Sequence, residues 1–254
     1  QIIIFDNFST GKMSNIPLKK NLHIVNIDLT SNYKEWPIFK DVQAIFHFAA
    51  NADVRGGELN REIDFLQNVV VTKSVCDYAK FSKIKKVIFA SSATVYGEPK
   101  DFPTPENTEL IQTSIYGASK LSCESFLQAY AEYSDFDIRI FRFVSWIGKG
   151  YSHGVIYDFC KKLLENPKEL EILGNGKQVK SYLDVEDGID AIIKLTFNDN
   201  IDNNLFNIGH NYFMNVIELA EIVCDEMNLR NVNFKFTGGE RGWIGDSPIV
   251  HLDI

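Results

Sequence analysis

The 254 residues lack any surplus of positive charge: 26 Lys and Arg stand against 34 Asp and Glu, for a formal net charge of −8. Such a chain offers no broad cationic face to a nucleic-acid backbone or an anionic bilayer, so neither nucleic acid nor membrane is an expected partner. Any anionic small molecule must be met by a few local cations. The sequence also lacks an apolar run approaching the roughly 20 residues of a membrane span, and it has no basic, apolar and small-residue leader pattern. A cytoplasmic location is therefore the expectation. Cysteine is scarce, and Cys76, Cys123, Cys160 and Cys224 lie too far apart for a zinc knuckle or a redox dithiol; reduced core thiols and no metal site are expected. Repeats and low-complexity tracts are missing as well. What remains is an ordinary globular composition, 45% hydrophobic, enough to build a core.

Short apolar runs alternate with segments of helical period, the pattern of β-α-β units around a parallel sheet. Strands are predicted at Ile2 to Phe5, His23 to Ile27, Ala44 to Phe48, Lys86 to Ala90 and Ile138 to Val144, all rich in Val, Ile and Phe as strands covered on both faces should be. Leu59, Ile63, Leu66 and Val70 recur at helical spacing, and Tyr116 to Tyr133 predicts a second amphipathic helix. After Gly148 the texture loosens, with Gly174-Asn175-Gly176-Lys177 and helical pieces near 155–165, 186–197 and 215–227. A smaller, partly discontinuous domain is expected there. The opening directly in a strand, and the end at Leu252-Asp253-Ile254 without a closing helix, predict that further chain lies on both sides.

The local pattern with most chemical content is Tyr116-x-x-x-Lys120. An i, i+4 spacing puts both side chains on one helix face, where an ammonium favours the phenolate form of a tyrosine that is otherwise a poor base at neutral pH. Some twenty residues earlier, Ala90-Ser91-Ser92-Ala93-Thr94-Val95-Tyr96-Gly97 ends an apolar strand, where open α/β sheets place their ligands. Ser92 is thus a candidate to hold a reacting oxygen. His47 reads as a packed strand residue rather than a ligand.

Strand, Ser-Ser-Ala-Thr-Val-Tyr-Gly and Tyr-x-x-x-Lys together resemble the extended short-chain dehydrogenases/reductases of the NAD-dependent epimerase/dehydratase family, and most of all its UDP-glucose 4-epimerases. The resemblance runs nearly end to end. It implies a Rossmann-like doubly wound parallel sheet whose first β-α unit is missing, with a smaller α/β substrate-binding domain. The implied boundaries are 1–147 plus about 184–209 for NAD and 148–183 plus 210–254 for a nucleotide-sugar. It also implies the cofactor contacts: Asp6, Asn7, Ser9, Thr10 and Gly11 after a strand for the adenosine ribose, Asp28 and Leu29 beside adenine, Phe48, Ala49 and Ala50 in a turn against the cofactor, and Gln67, Tyr116, Lys120 and Val144 farther in. For the UDP-sugar it implies Ser92, Thr94, Ser145, His153, Gly154, Val155, Lys180, Arg241 and Asp246. An Asx turn is the alternative for Asp6, and a solvated surface residue for Arg241. Helices at 57–80 and 116–133 resemble those that pair two subunits, so a homodimer is implied.

Departures accompany the match. The Gly-x-x-Gly-x-x-Gly loop that approaches the NAD pyrophosphate does not occur in these residues. Ser145 stands where Asn is usual, Lys180 where Arg is usual, and Gln67 near a usual Asn; Lys for Arg keeps charge and loses the bidentate fork. Related dehydratases carry an acid after the catalytic Ser or Thr, whereas Ala93 and Thr94 follow Ser92. The implied reaction is 4-epimerisation through a 4-keto sugar, with Ser92, Tyr116 and Lys120 catalytic. A dehydratase, a 4-ketoreductase and a non-catalytic nucleotide-sugar-binding module are the alternatives.

Overall fold

The computed structural model describes residues 1–254, the side chain of residue 58 excepted. In chain order the elements are β1 (Ile2–Asp6), β2 (Leu22–Asn26), β3 (Ala44–His47), α1 (Gly56–Leu59), α2 (Arg61–Asp64), α3 (Val71–Phe81), β4 (Lys86–Ser92), α4 (Ile115–Ser134) and β5 (Asp137–Phe143). There follow β6 (Ser145–Ile147), α5 (Val155–Glu165), β7 (Glu169–Ile172), β8 (Val179–Asp184), α6 (Val185–Thr196), β9 (Leu205–Ile208), β10 (Phe213–Asn215), α7 (Val216–Glu226) and β11 (Asn233–Phe236).

The main sheet is parallel, in the order β3-β4-β5-β9, and helices cover both of its faces. Side-chain alternation along β4 shows why. Val87 and Phe89 pack with Val75, Cys76 and Ala79 of α3 and with Cys123 and Leu127 of α4, while Ile88 points the other way into a cluster with Phe141 and with Ile192 of α6. β1 and β2 form a separate parallel pair, with Ile2 opposite Leu22 and Asp6 opposite Asn26. The pair joins the larger core through side chains, Phe5 lying edge-on to Trp36 at 6.2 Å.

The predicted strands are present with ends shifted by a residue or two; β4 runs on through Ser92, and Phe48 falls outside β3. The helix expected from Leu59 to Val70 is not continuous. Asn60 leaves helical geometry at φ −137° and ψ 92° and caps α2 through Glu62 N–H, and Phe65–Val70 forms a π-helical turn before α3. Its stripe is not a core face either, since Leu59 is 94% exposed and Leu66 is exposed too. α4 does form as expected: the Ser114 side chain accepts from Gly117 N–H to cap its start, and Asp135 in left-handed geometry ends it.

Beyond Gly148, β6, β8 and β10 form one small sheet and β7 and β11 another. Phe159, Leu163, Leu170, Ile172, Ala220 and Val223 make a core of their own between α5, α7 and β7. Cys76, Cys123 and Cys224 are buried, Cys160 is half-buried, and all carry free thiols as expected. No helix is long and apolar enough to cross a membrane, among the described residues.

Candidate active site

The carboxyl ends of β4 and β5 and the first turn of α4 meet at one point. Ser92 closes β4, and its hydroxyl accepts from Thr94 N–H (3.2 Å) and from Thr94 Oγ1 (3.0 Å). Gly117 permits the approach of the two segments: a Cβ there would lie 2.7 Å from the Thr94 carbonyl oxygen, a distance that side-chain carbons do not reach. Tyr116 is thereby set against Ser92. Burial pushes the Tyr116 phenol well above its ordinary range, and hydrogen bonding with Ser92 pulls the other way.

Lys120 lies one turn on, 4% exposed, with Nζ 5.8 Å from the Tyr116 ring centroid and 4.9 Å from that of Phe89. It donates to the Ala90 carbonyl at 3.0 Å. Burial lowers its pKa to about 8. The sequence led us to expect an ammonium that depresses the tyrosine; in the structure desolvation dominates and the net direction for Tyr116 is upward. His47 is a packed residue as expected, paired with Thr72 at 2.9 Å and held neutral by burial, its pKa down to about 3.

Ser92 and Tyr116 open onto a cleft of about 940 Å³, whose lining also holds Thr94, Val144, Ser145, His153, Gly154, Val155, Lys180 and Asp246. The sequence-based substrate set therefore converges on one cavity, apart from Arg241. That side chain is half exposed and held by Glu98, through Nε at 2.7 Å. Lys180 is likewise engaged, donating to Asp246 at 2.8 Å and to the Ser247 carbonyl. The cleft adds residues the sequence did not single out, among them Tyr151, Gln178, Tyr182 and Trp243. They sit on short polar strands and loops that carry no periodic signal.

Residues 1–209 match the model of the NAD dependent epimerase/dehydratase family. The chain belongs to that family. A Methanocaldococcus jannaschii protein bearing a provisional UDP-glucose 4-epimerase name is 33% identical over 90% of this chain and 75% of its own length. A Mycolicibacterium smegmatis UDP-glucose 4-epimerase is 29% identical over 76% of this chain and 64% of its own. Among solved structures, a UDP-galactose 4-epimerase superposes with a TM-score of 0.87 at 31% identity, covering 99% of this chain and 80% of that one. The UDP-N-acetylglucosamine 4-epimerase of Methanobrevibacter ruminantium, solved with UDP-N-acetylmuramic acid, gives 0.85 at 29% identity and covers 81% of that chain. The fold is thus the Rossmann-like one of these epimerases.

Whether the residues present suit the family's NAD can be read at two places. At the end of β1, Asp6 Oδ1 accepts Phe8 N–H at 2.7 Å in an Asx turn, while a Cβ added to Gly11 would come 3.3 Å from Asp6 Oδ2. Glycine thus leaves room over a carboxylate suited to a ribose diol. Asn7 donates to Asp28 at 3.3 Å, and Ser9 and Thr10 are exposed beside them. Leu29 packs on the core. At the other end, the buried Lys120 has Ala90 O as its acceptor among the described residues, which leaves N–H groups for a second diol. These two ends fit NAD. Phe48 and Ala49 are exposed past β3, with Ala50 half-buried. Gln67 is half-buried on the π-turn, whereas its neighbour Asn68 is 1% exposed and fully engaged. Two signals pointed to that second residue: the usual Asn expected beside Gln67, and the i, i+4 spacing of Asp64 and Asn68.

Proposed function

We propose that the protein is an NAD-dependent epimerase that inverts the C4 hydroxyl of a UDP-linked hexose of the glucose/galactose type, by way of the 4-keto sugar. The observation that carries this reading is the placement of Ser92 and Tyr116 on one cleft wall with Lys120 buried behind them, followed by Ala93 and Thr94 where an acid would serve loss of water. Asp6, Gly11, Asp28 and Lys120 would hold NAD, which when bound supplies a reversible hydride acceptor and a second positive charge.

Tyr116 takes the proton of the C4 hydroxyl, and Ser92 fixes the oxygen that changes from hydroxyl to carbonyl and back. Burial favours the protonated phenol in the free protein, so the phenolate that takes the C4 proton would form only with the positive charge of Lys120 and of bound NAD beside it, and the phenol so produced returns that proton in the second step. Lys120 supplies positive charge beneath the ring and keeps α4 docked on β4. His153, Gly154 and Val155, with Lys180 and Arg241, serve the diphosphate once their carboxylate partners yield, and Ser145 and Thr94 face the sugar. The NAD part is residues 1–147 with about 184–209, the sugar-nucleotide part 148–183 with 210–254. Phe65, Leu66, Phe126 and Tyr133, all exposed on the α3–α4 side, support a homodimer, which light scattering tests.

The deciding experiment incubates the protein with NAD and UDP-glucose, UDP-galactose or their N-acetyl forms in deuterated water and follows proton NMR. Interconversion at C4 without solvent deuterium is expected. Deuterium uptake beside a ketone, or loss of water, would move the assignment to a dehydratase. Net consumption of reduced cofactor would make it a ketoreductase, and UDP binding without turnover a binding module.

A further inference from the structure

Asp64 is the buried acid that the reaction above leaves unused. It is 0% exposed, at the end of α2 where the π-turn begins, and no cation pairs with it among the described residues. Its Oδ1 accepts from the Asn51 amide at 2.8 Å and from the Asn68 amide at 3.4 Å, while Oδ2 is sealed in against Gly57 without a partner among the described residues. A carboxylate in that position is expensive unless something is gained from it.

What is gained is a connection. On one side, Asn51 donates to the Asp53 carbonyl (3.2 Å) and accepts from Asp53 N–H (3.2 Å), so it shapes the segment whose residues Ala52 to Arg55 form a wall of the cleft. On the other, Asn68 donates to Ser119 Oγ at 2.8 Å and accepts Asn51 N–H at 2.8 Å, and Ser119 in turn donates to the Tyr116 carbonyl at 2.8 Å. In the chain Asp53, Asn51, Asp64, Asn68, Ser119, Tyr116, the bonds from Asn51 to Asp64 and from Asn68 to Ser119 cross between segments, and the others close local turns. The two faces that must close on a sugar, the wall at 52–55 and the first turn of α4, are thus tied through Asn68, which Asn51 reaches both directly and by way of Asp64.

We propose that Asp64 is a positioning residue that fixes the cleft wall Ala52 to Arg55 relative to Tyr116, acting through Asn51 on one side and through Asn68 and Ser119 on the other. Burial and the nearby charge of Asp53 raise its pKa, against Asn51 and Lys120. Both observed bonds are accepted by Oδ1, so an amide, whose carbonyl accepts in the same place, is its closest substitute.

The inference rests on the epimerase reading only for its kinetic arm. Asp64→Asn, Asp64→Ala and Ser119→Ala are compared with the parent by hydrogen exchange over residues 51–57 and 86–92 and by C4 epimerisation of UDP-galactose. In Asp64→Ala, exchange rises in 51–57 and not in 86–92, kcat falls on the order of tenfold to a hundredfold and KM rises several-fold, as displacement of reacting groups by about 1 Å produces. Asp64→Asn restores both readouts to within about threefold. Ser119→Ala lowers kcat with less effect on exchange at 51–57. Unchanged exchange at 51–57 in Asp64→Ala overturns the proposal, as does an Asp64→Asn protein as impaired as the alanine variant, because charge rather than tethering would then be at work. If the parent turns over no sugar, the epimerase reading fails while exchange still decides the tether.

Discussion

The two walls of the cleft are built on opposite terms. The wall formed by β4, β5 and α4 is buried and firmly tied: Tyr116 and Lys120 are buried, and behind them Glu124 takes a bidentate grip from Arg142 at 3.0 and 2.7 Å and a further bond from Ser91. The facing wall is made of loops and short strands, and two cations on that side, Lys180 in the lining and Arg241 outside it, are neutralised by carboxylates of the same chain. Chemistry requires the first kind of wall, since a proton is passed only between groups held in place. Binding and release of a charged ligand are served by the second, where the pair of Glu98 and Arg241 is exposed enough to be exchanged, while that of Lys180 and Asp246 is mostly buried.

The sharpest way to break this contrast is Tyr116→Phe, which removes one hydroxyl from the rigid wall. Turnover should fall on the order of a thousandfold, while UDP binding measured by calorimetry stays as in the parent. A comparable fall in affinity would show that the walls are not separate in function.

Next in size is the ion pair behind the serines. Glu124→Leu leaves Arg142 uncompensated between Tyr96 and the Glu106 carbonyl, and should cost about 3 to 5 kcal/mol in urea unfolding. A loss under about 1 kcal/mol would mean that the wall does not depend on its buried pair.

A third test uses pH. Folding lowers the Lys120 pKa to about 8 from 10.5, so between those values the unfolded chain binds more protons and this residue makes stability rise with pH. Buried Cys76, Cys123 and Tyr116 have raised values and act in the opposite sense from about pH 9 upward. The comparison with Lys120→Met isolates the lysine: the variant's stability advantage should be largest below pH 8 and shrink as pH approaches 10.5. An advantage constant across that range would sink the assignment of a buried, depressed lysine.

The smallest effect belongs to the yielding wall. The pair of Glu98 and Arg241 is exposed and is worth no more than about 1 kcal/mol. Glu98→Gln should free Arg241 and tighten UDP binding about two- to fivefold; weaker binding would show that Glu98 orients the arginine rather than competes for it.

The same contrast explains what could be read from the sequence. β4 and β5 are apolar runs covered on both faces, and Tyr116 and Lys120 are four residues apart on one helix, so both strand and motif are local patterns. The strands β6, β7 and β10 are three or four residues long and partly polar, as in Ser145–Ile147 and Phe213–Asn215, and they escaped notice. Arg241 was legible as an arginine but not as the partner of Glu98, which lies 143 positions away. The tether of Asn51, Asp64, Asn68 and Ser119 joins residues whose nearness only the folded chain creates.

The π-turn at Phe65–Val70 carries a consequence for how this segment can vary. A π-turn holds one residue more than an α-turn, and each residue advances an α-helix by about 100°. Deleting one residue there would close the π-turn into an α-turn and leave the helical turns on either side near their present phase, whereas deleting one from the regular helix of α3 would rotate everything before it by about 100° and carry Asp64 off its line to Ser119. The stretch acts as a buffer of phase, and loss of a single residue should be tolerated better between 65 and 70 than between 71 and 81.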